Sequence, residues 1–190
     1  MAEILFVNAC VRPNSRTLEL ASHVLGKLSG EVAELKLYEE KLAPLDLAEM
    51  EIRDKAAKTK DFSAGVFALA RQFACAETIV LAAPYWDLMF PAVVKTYFEK
   101  ITVNGLTFAY GADGIPQGLC SAKRLIYVTT AGGPIVHNFG YEYVSALCKG
   151  FYGIKEVECV CAEGLDVYGA DVTKIMSNAK ESFQSKTNKG

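Results

Sequence analysis

The stretch TIVLAAPYWDLMFPAVVKTYFEK, residues 78–100, decides the fold. Its first six residues, 78–83, are apolar throughout and read as a strand buried on both faces. Pro91 suits a first helical position, and an amphipathic helix runs from it to Lys100. Between them, residues 84–90 have the composition of a loop, yet they carry Tyr85, the chain's only tryptophan (Trp86), Leu88 and Met89. Large apolar side chains on a turn mean one of two things. Either the turn folds into the core, or something flat and apolar lies on it.

Working outward, the same strand–loop–helix unit recurs. Residues 3–9 (EILFVNA) read as a buried strand and 15–28 as a helix, with Leu18, Ala21, Val24, Leu25 and Leu28 at helical spacing. Residues 32–38 alternate as a second strand. A longer connection with at most a short helical turn follows over 42–58, then a helix over 62–76. After the opening unit, residues 104–119 hold five of the chain's glycines and prolines, which makes them an excursion rather than a core element. Strands over 125–130 and 155–162 alternate with helices over 141–151 and 171–183. The expected fold is therefore α/β: a doubly wound five-stranded parallel sheet with helices on both faces. No repeat or linker divides the 190 residues, which suit a single domain, 1–190, with a flexible tail at 184–190.

Composition narrows the partners. Hydrophobic residues make up 51% of the chain, but no run approaches the ~20 apolar residues of a membrane helix, so no membrane partner is expected. The net charge of −2, with both signs mixed, lacks the basic stripe of a nucleic-acid binder. The N-terminus has an acid where a secretion signal carries positive charge, so the six cysteines are expected reduced and the protein cytoplasmic. Cys159 and Cys161 fall on one strand face, where small buried hydrophobes account for them better than metal ligands do. No metal is expected.

In a doubly wound sheet, ligands bind beyond the carboxyl ends of the strands, near the switch point. Three loops lie there. The first, 10–16, lacks GxGxxG, which speaks against a dinucleotide-binding Rossmann domain. It offers Arg12, Ser15, Arg16, Thr17 and a helix N-terminus as phosphate donors, although Asn14 or Ser15 would cap a helix in any protein. The second, 84–90, supplies Tyr85, Trp86 and Leu88 as a wall for a planar ring. The third, 131–138, places Gly132 and Gly133 just after a strand, where backbone can approach a ligand or simply turn. Together the three loops favour a mononucleotide with a flat ring.

These residues carry a resemblance over nearly the whole chain. NSRT after the first strand resembles a serine-containing phosphate loop. APYWDLMFPAVVKTYFEKI is similar to a Pro-(Met/Tyr)-Tyr-Asn-Phe turn and its helix. TTAGG is similar to a Ser-Arg-Gly-Gly loop, NGLTFAYGADGIPQGL to a glycine-bearing excursion, and FYGIKEVECVCAEGLDVYG to a last strand and its AEG…YG sequel. The chain thus resembles the flavodoxin-like NAD(P)H:quinone oxidoreductases, most closely the FMN-dependent NADH-azoreductase group.

The resemblance implies FMN phosphate on Ser15, Arg16 and Thr17, with Cys10 and Arg12 nearby. It implies the isoalloxazine on Pro84, Tyr85, Trp86, Asp87 and Leu88, and on Thr130, Ala131, Gly132 and Gly133. Two positions depart from the family: Asp87 stands where it has asparagine, and Ala131 where it has arginine. Facing the ring, Asp87 would disfavour added negative charge and hold the redox potential down; turned away, it would support the helix at Pro91. The implied reaction is ping-pong: NADH or NADPH gives a hydride to the flavin, and a quinone or azo compound takes two electrons. The cofactor carries that chemistry, so no catalytic side chain is required. His137 can donate a proton to the acceptor or be merely structural, and Tyr110 and Phe139 can bound the acceptor pocket. A homodimer is implied, with Phe108 and Tyr110 on the excursion suited to closing that pocket. The rival readings are a flavodoxin-type electron carrier, which would tend to be more acidic, and a flavin-free interaction protein.

Overall fold

The computed structural model describes residues 2–184. Of the expected tail, all but Gln184 lies outside the described residues. Strand β1 (Ile4–Asn8) is buried along its whole length and sits inside a five-stranded parallel sheet. It pairs with β2 (Val32–Lys36) on one side and β3 (Thr78–Ala82) on the other. Two further strands, β6 (Arg124–Thr130) and β7 (Glu156–Ala162), extend the sheet beyond β3. The order β2-β1-β3-β6-β7 is the doubly wound arrangement expected, with its switch point between β1 and β3.

Alternation along the strands divides the core in two. Leu5 and Val7 of β1 join Phe73, Phe98 and Val144 on one face. That face is covered by α3 (Ala68–Cys75), α4 (Ala92–Ile101) and α5 (Phe139–Leu147). Ile4 and Phe6 join Leu20, Val24 and Met176 on the other, under α1 (Arg16–Leu25) and α6 (Val172–Ser182).

Four expectations need correction. Residues 42–58 are not a connection with a short turn, because α2 occupies Leu47–Thr59, capped by Asp46 through the Glu49 amide. Only Ala56 of that helix is buried, so no apolar stripe announced it. Polar contacts hold it instead: Arg53 donates to the Lys100 carbonyl at 2.7 Å, at the C-terminus of α4, and Glu49 pairs with Lys100. The helix expected over 62–76 starts later, with a 3₁₀ turn at Gly65–Phe67. The helix expected over 141–151 begins at Phe139, ends at Leu147 and passes into a π turn, Cys148–Tyr152, closed by Gly153 at φ 77°. The helix expected over 15–28 ends at Leu25.

The glycine-rich excursion contains an antiparallel hairpin, β4 (Phe108–Tyr110) and β5 (Pro116–Gly118), outside the main sheet. It is anchored by the fully buried Thr107, whose hydroxyl donates to the Ile101 carbonyl at 2.8 Å.

Candidate active site

The chain leaves β1 and turns into α1 through Ser15, whose extended backbone and hydroxyl cap the helix. That hydroxyl accepts from the Leu18 amide at 3.3 Å. The Arg16 and Thr17 amides lie in the first turn, ahead of any intrahelical acceptor, at the positive end of the helix dipole. The Thr17 and Thr130 hydroxyls meet at 2.6 Å in a buried contact between α1 and the end of β6. A hydroxyl donates once and accepts as well, so the accepting member of this pair keeps its own proton for a third group.

The second loop is a tight turn. Trp86 and Met89 exchange both backbone hydrogen bonds, at 2.9 and 2.8 Å. The two residues between them are left-handed, Asp87 at φ 50° and Leu88 at φ 68°. Asparagine and glycine are the usual occupants of such a turn, and leucine is strained there. The turn leaves Trp86 and Leu88 half-exposed, and the Asp87 and Leu88 amides have no hydrogen-bond partner among the described residues. Helix α4 follows Pro91 as its N-cap residue and has no side-chain cap, so no hydrogen bond supports the helix-capping role for Asp87.

The third loop lies against residues 163–170, a segment to which the sequence reading gave no ligand-binding residue. Leu165 and Asp166 donate their amides to the Ala131 and Gly132 carbonyls, at 3.2 and 2.8 Å. A Cβ on Gly132 would fall 2.3 Å from the Asp166 carboxylate, so the glycine is what lets that carboxylate settle there. Asp166 pairs with Arg16 at 2.7 Å, and Arg16 also donates to the Leu165 carbonyl at 3.1 Å.

These loops enclose a cleft of about 350 Å³ at the carboxyl edge of the sheet. Small-molecule sites are typically ~300–1,000 Å³. Of the expected cofactor residues, the cleft brings together Arg12, Ser15, Arg16, Thr17, Pro84, Tyr85, Trp86, Thr130, Ala131 and Gly132. Val11, Asn14 and Asp166 line it too. Asp166 falls inside the AEGLDVYG stretch, whose position after a strand end was the signal that could have found it.

Other expected residues stand outside the cleft walls. Cys10 lines a neighbouring open groove of about 810 Å³, and burial pushes its thiol pKa up, with a hydrogen bond from Ser15 opposing. Asp87, Leu88 and Gly133 are not among the lining residues. His137 reaches the site through its backbone, its carbonyl accepting the Tyr85 hydroxyl at 2.9 Å, while its ring stacks on Phe139. Tyr110 packs edge-on against Phe108 in the hairpin.

The residues present fit FMN. First-turn amides, the Ser15 hydroxyl and Arg12 can meet a phosphate, and Arg12 has no ion-pair partner among the described residues. Tyr85 and Trp86 supply flat apolar surface in the same cleft. Among the described residues, no group of three or more His, Cys, Asp or Glu side chains could hold a metal ion, and no helix is long and apolar enough to cross a membrane.

Comparison with known proteins agrees with this geometry. A family described as having a flavodoxin-like fold matches residues 2–187. The FMN-dependent NADH:quinone oxidoreductase of Lachnoclostridium phytofermentans is 34% identical over 195 residues, covering 95% of this chain and 96% of that protein. Its namesake from Coprothermobacter proteolyticus is 34% identical over 198 residues, covering 97% and 98%. A crystal structure of an azoreductase from Bacillus anthracis superposes with a TM-score of 0.83 at 28% identity, covering 96% of each chain. The chain belongs to the flavodoxin-like family and, within it, to the FMN-dependent NADH:quinone oxidoreductases.

Proposed function

We propose that this protein is an FMN-dependent NADH oxidoreductase that delivers two electrons to quinones or azo compounds. Donor and acceptor use one site in turn, in the ping-pong manner. The observation that carries the reading is a single cleft holding both the free first-turn amides of α1 and the rings of Tyr85 and Trp86. FMN, when bound, supplies the two-electron chemistry that no side chain here can perform.

The chain's own contribution is binding and orientation. Ser15 and the Arg16 and Thr17 amides hold the phosphate, with the helix dipole adding attraction for its charge. The bond from Tyr85 to the His137 carbonyl ties the second loop to the third, so the aromatic wall keeps its orientation. The Asp87 and Leu88 amides remain available as donors to the polar edge of a ring. Tyr110, His137 and Phe139 would bound the acceptor, with His137 a candidate proton donor.

We further propose that the chain acts as one domain and as a homodimer in the cytoplasm. Support for pairing comes from exposed apolar groups beside the cleft, including Leu88 and Val136 on loops and Phe139 at the start of α5. The test is NADH oxidation with a quinone acceptor, with and without added FMN. The reading requires acceptor-dependent turnover that needs FMN. A flavin-loaded protein inert toward NADH would favour an electron carrier instead.

A further inference from the structure

Resting on that reading, we infer that Asp166 is a specificity-determining residue that weakens discrimination between FMN and a flavin lacking the phosphate. The Arg16 guanidinium stands in the first turn of α1, beside the amides that a phosphate would use. It is held in two places by residues 165–166: a hydrogen bond to the Leu165 carbonyl at 3.1 Å and the ion pair with Asp166 at 2.7 Å.

The backbone of Asp166 is fixed in that position. Its amide is bonded to the Gly132 carbonyl at 2.8 Å, and its neighbours Leu165 and Gly164 bond to Ala131 and Gly133. Gly132 has no side chain to displace the carboxylate, which a Cβ would meet at 2.3 Å. Both Arg16 and Asp166 line the cleft.

Two effects follow for a phosphate entering beside α1. The cation nearest the helix N-terminus is already engaged by a carboxylate, which leaves Arg12 as the cleft's unpaired guanidinium among the described residues. The same carboxylate, the one acid among the lining residues, also brings its own negative charge to the cavity that the phosphate dianion enters. Like charges in a partly screened site repel, and the repulsion grows with the ligand's charge. Riboflavin, which has the same ring and ribityl chain but no phosphate, is indifferent to both effects.

The experiment titrates flavin-free wild type and Asp166→Asn with FMN and with riboflavin at low ionic strength. Asparagine keeps the backbone bond to Gly132 and the side-chain size, and it removes the charge. The inference requires FMN affinity to rise by roughly fivefold, as one screened unit charge allows, while riboflavin affinity stays unchanged. In an Arg16→Gln background, where no guanidinium is left to release and only the direct repulsion remains to be relieved, the gain from Asp166→Asn should be smaller. An unchanged FMN-to-riboflavin ratio in Asp166→Asn, with both flavins binding, would overturn the inference and leave the proposed function standing. Failure of both flavins to bind either protein would overturn both.

Discussion

The hydroxyls of Thr17 and Thr130 lie 2.6 Å apart in a buried contact, joining the first turn of α1 to the last residue of β6. This contact sits in the wall of the cleft and couples the proposed phosphate end to the glycine loop. Thr17→Val keeps the side-chain shape and leaves the Thr130 hydroxyl buried without its partner. Stability should fall by about 1–3 kcal/mol, the cost of an unsatisfied buried polar group. Combining Thr17→Ala with Ser15→Ala should in addition lower FMN affinity at least about tenfold, read by fluorescence titration. Unchanged affinity would remove both hydroxyls from the phosphate site.

How far the sequence revealed this arrangement differs by element. Strands such as 78–83 were legible because parallel strands covered on both faces are apolar throughout. Helix α2 was hidden because Arg53, Glu49 and Lys100 attach it through charges and carbonyls rather than an apolar stripe. The cleft was legible in its three loops because each follows a strand end. Asp166 was missed: its stretch follows a strand end as the three loops do, but its place beside Arg16 depends on a backbone pairing between residues 164–166 and 131–133 that no local pattern encodes. Cys10, expected near the phosphate by resemblance, lines the adjoining groove beside Ser15.

Asp87 carries the departure from the family's asparagine, and the start of α4 takes no cap from it. An amide donates as well as accepts, whereas a carboxylate only accepts. Asp87→Asn should therefore raise the midpoint potential of the bound flavin by roughly 30 mV, which corresponds to ~1.4 kcal/mol for a two-electron couple. An anaerobic reductive titration of both proteins measures it. Equal midpoints would mean that the charge does not act on the ring.

Leu88 occupies a left-handed backbone position, φ 68°, in the turn beside the cleft. Leu88→Gly relieves that strain and suits the second central position of such a turn, with a gain of about 0.5–1 kcal/mol after the entropy cost of glycine. Thermal melting of the flavin-free protein gives the answer. A lower melting temperature would show that the packing of Leu88 outweighs its strain.

Burial pushes the thiols of Cys120, Cys148 and Cys159 up to about 12 from an ordinary 9.0, and that of Cys161 up to about 11. Between pH 9 and 12 the unfolded chain has lost these protons and the folded chain has kept them. Stability is therefore whole below pH 9 and falls as pH rises, by as much as ~1.4 kcal/mol per pH unit for each buried thiol. Cys148, fully buried, is the clearest case. Cys148→Ala should flatten the decline of denaturation midpoint between pH 9 and 11, and a slope equal to the wild type's would contradict this.

Trp86 is the only tryptophan in the chain and lines the proposed flavin cleft, so its fluorescence reports on that site alone. Titrating FMN into the flavin-free protein should quench this emission strongly and saturate at one equivalent per chain. Tryptophan emission untouched by FMN, or quenching that never saturates, would contradict the placement of the flavin against Trp86.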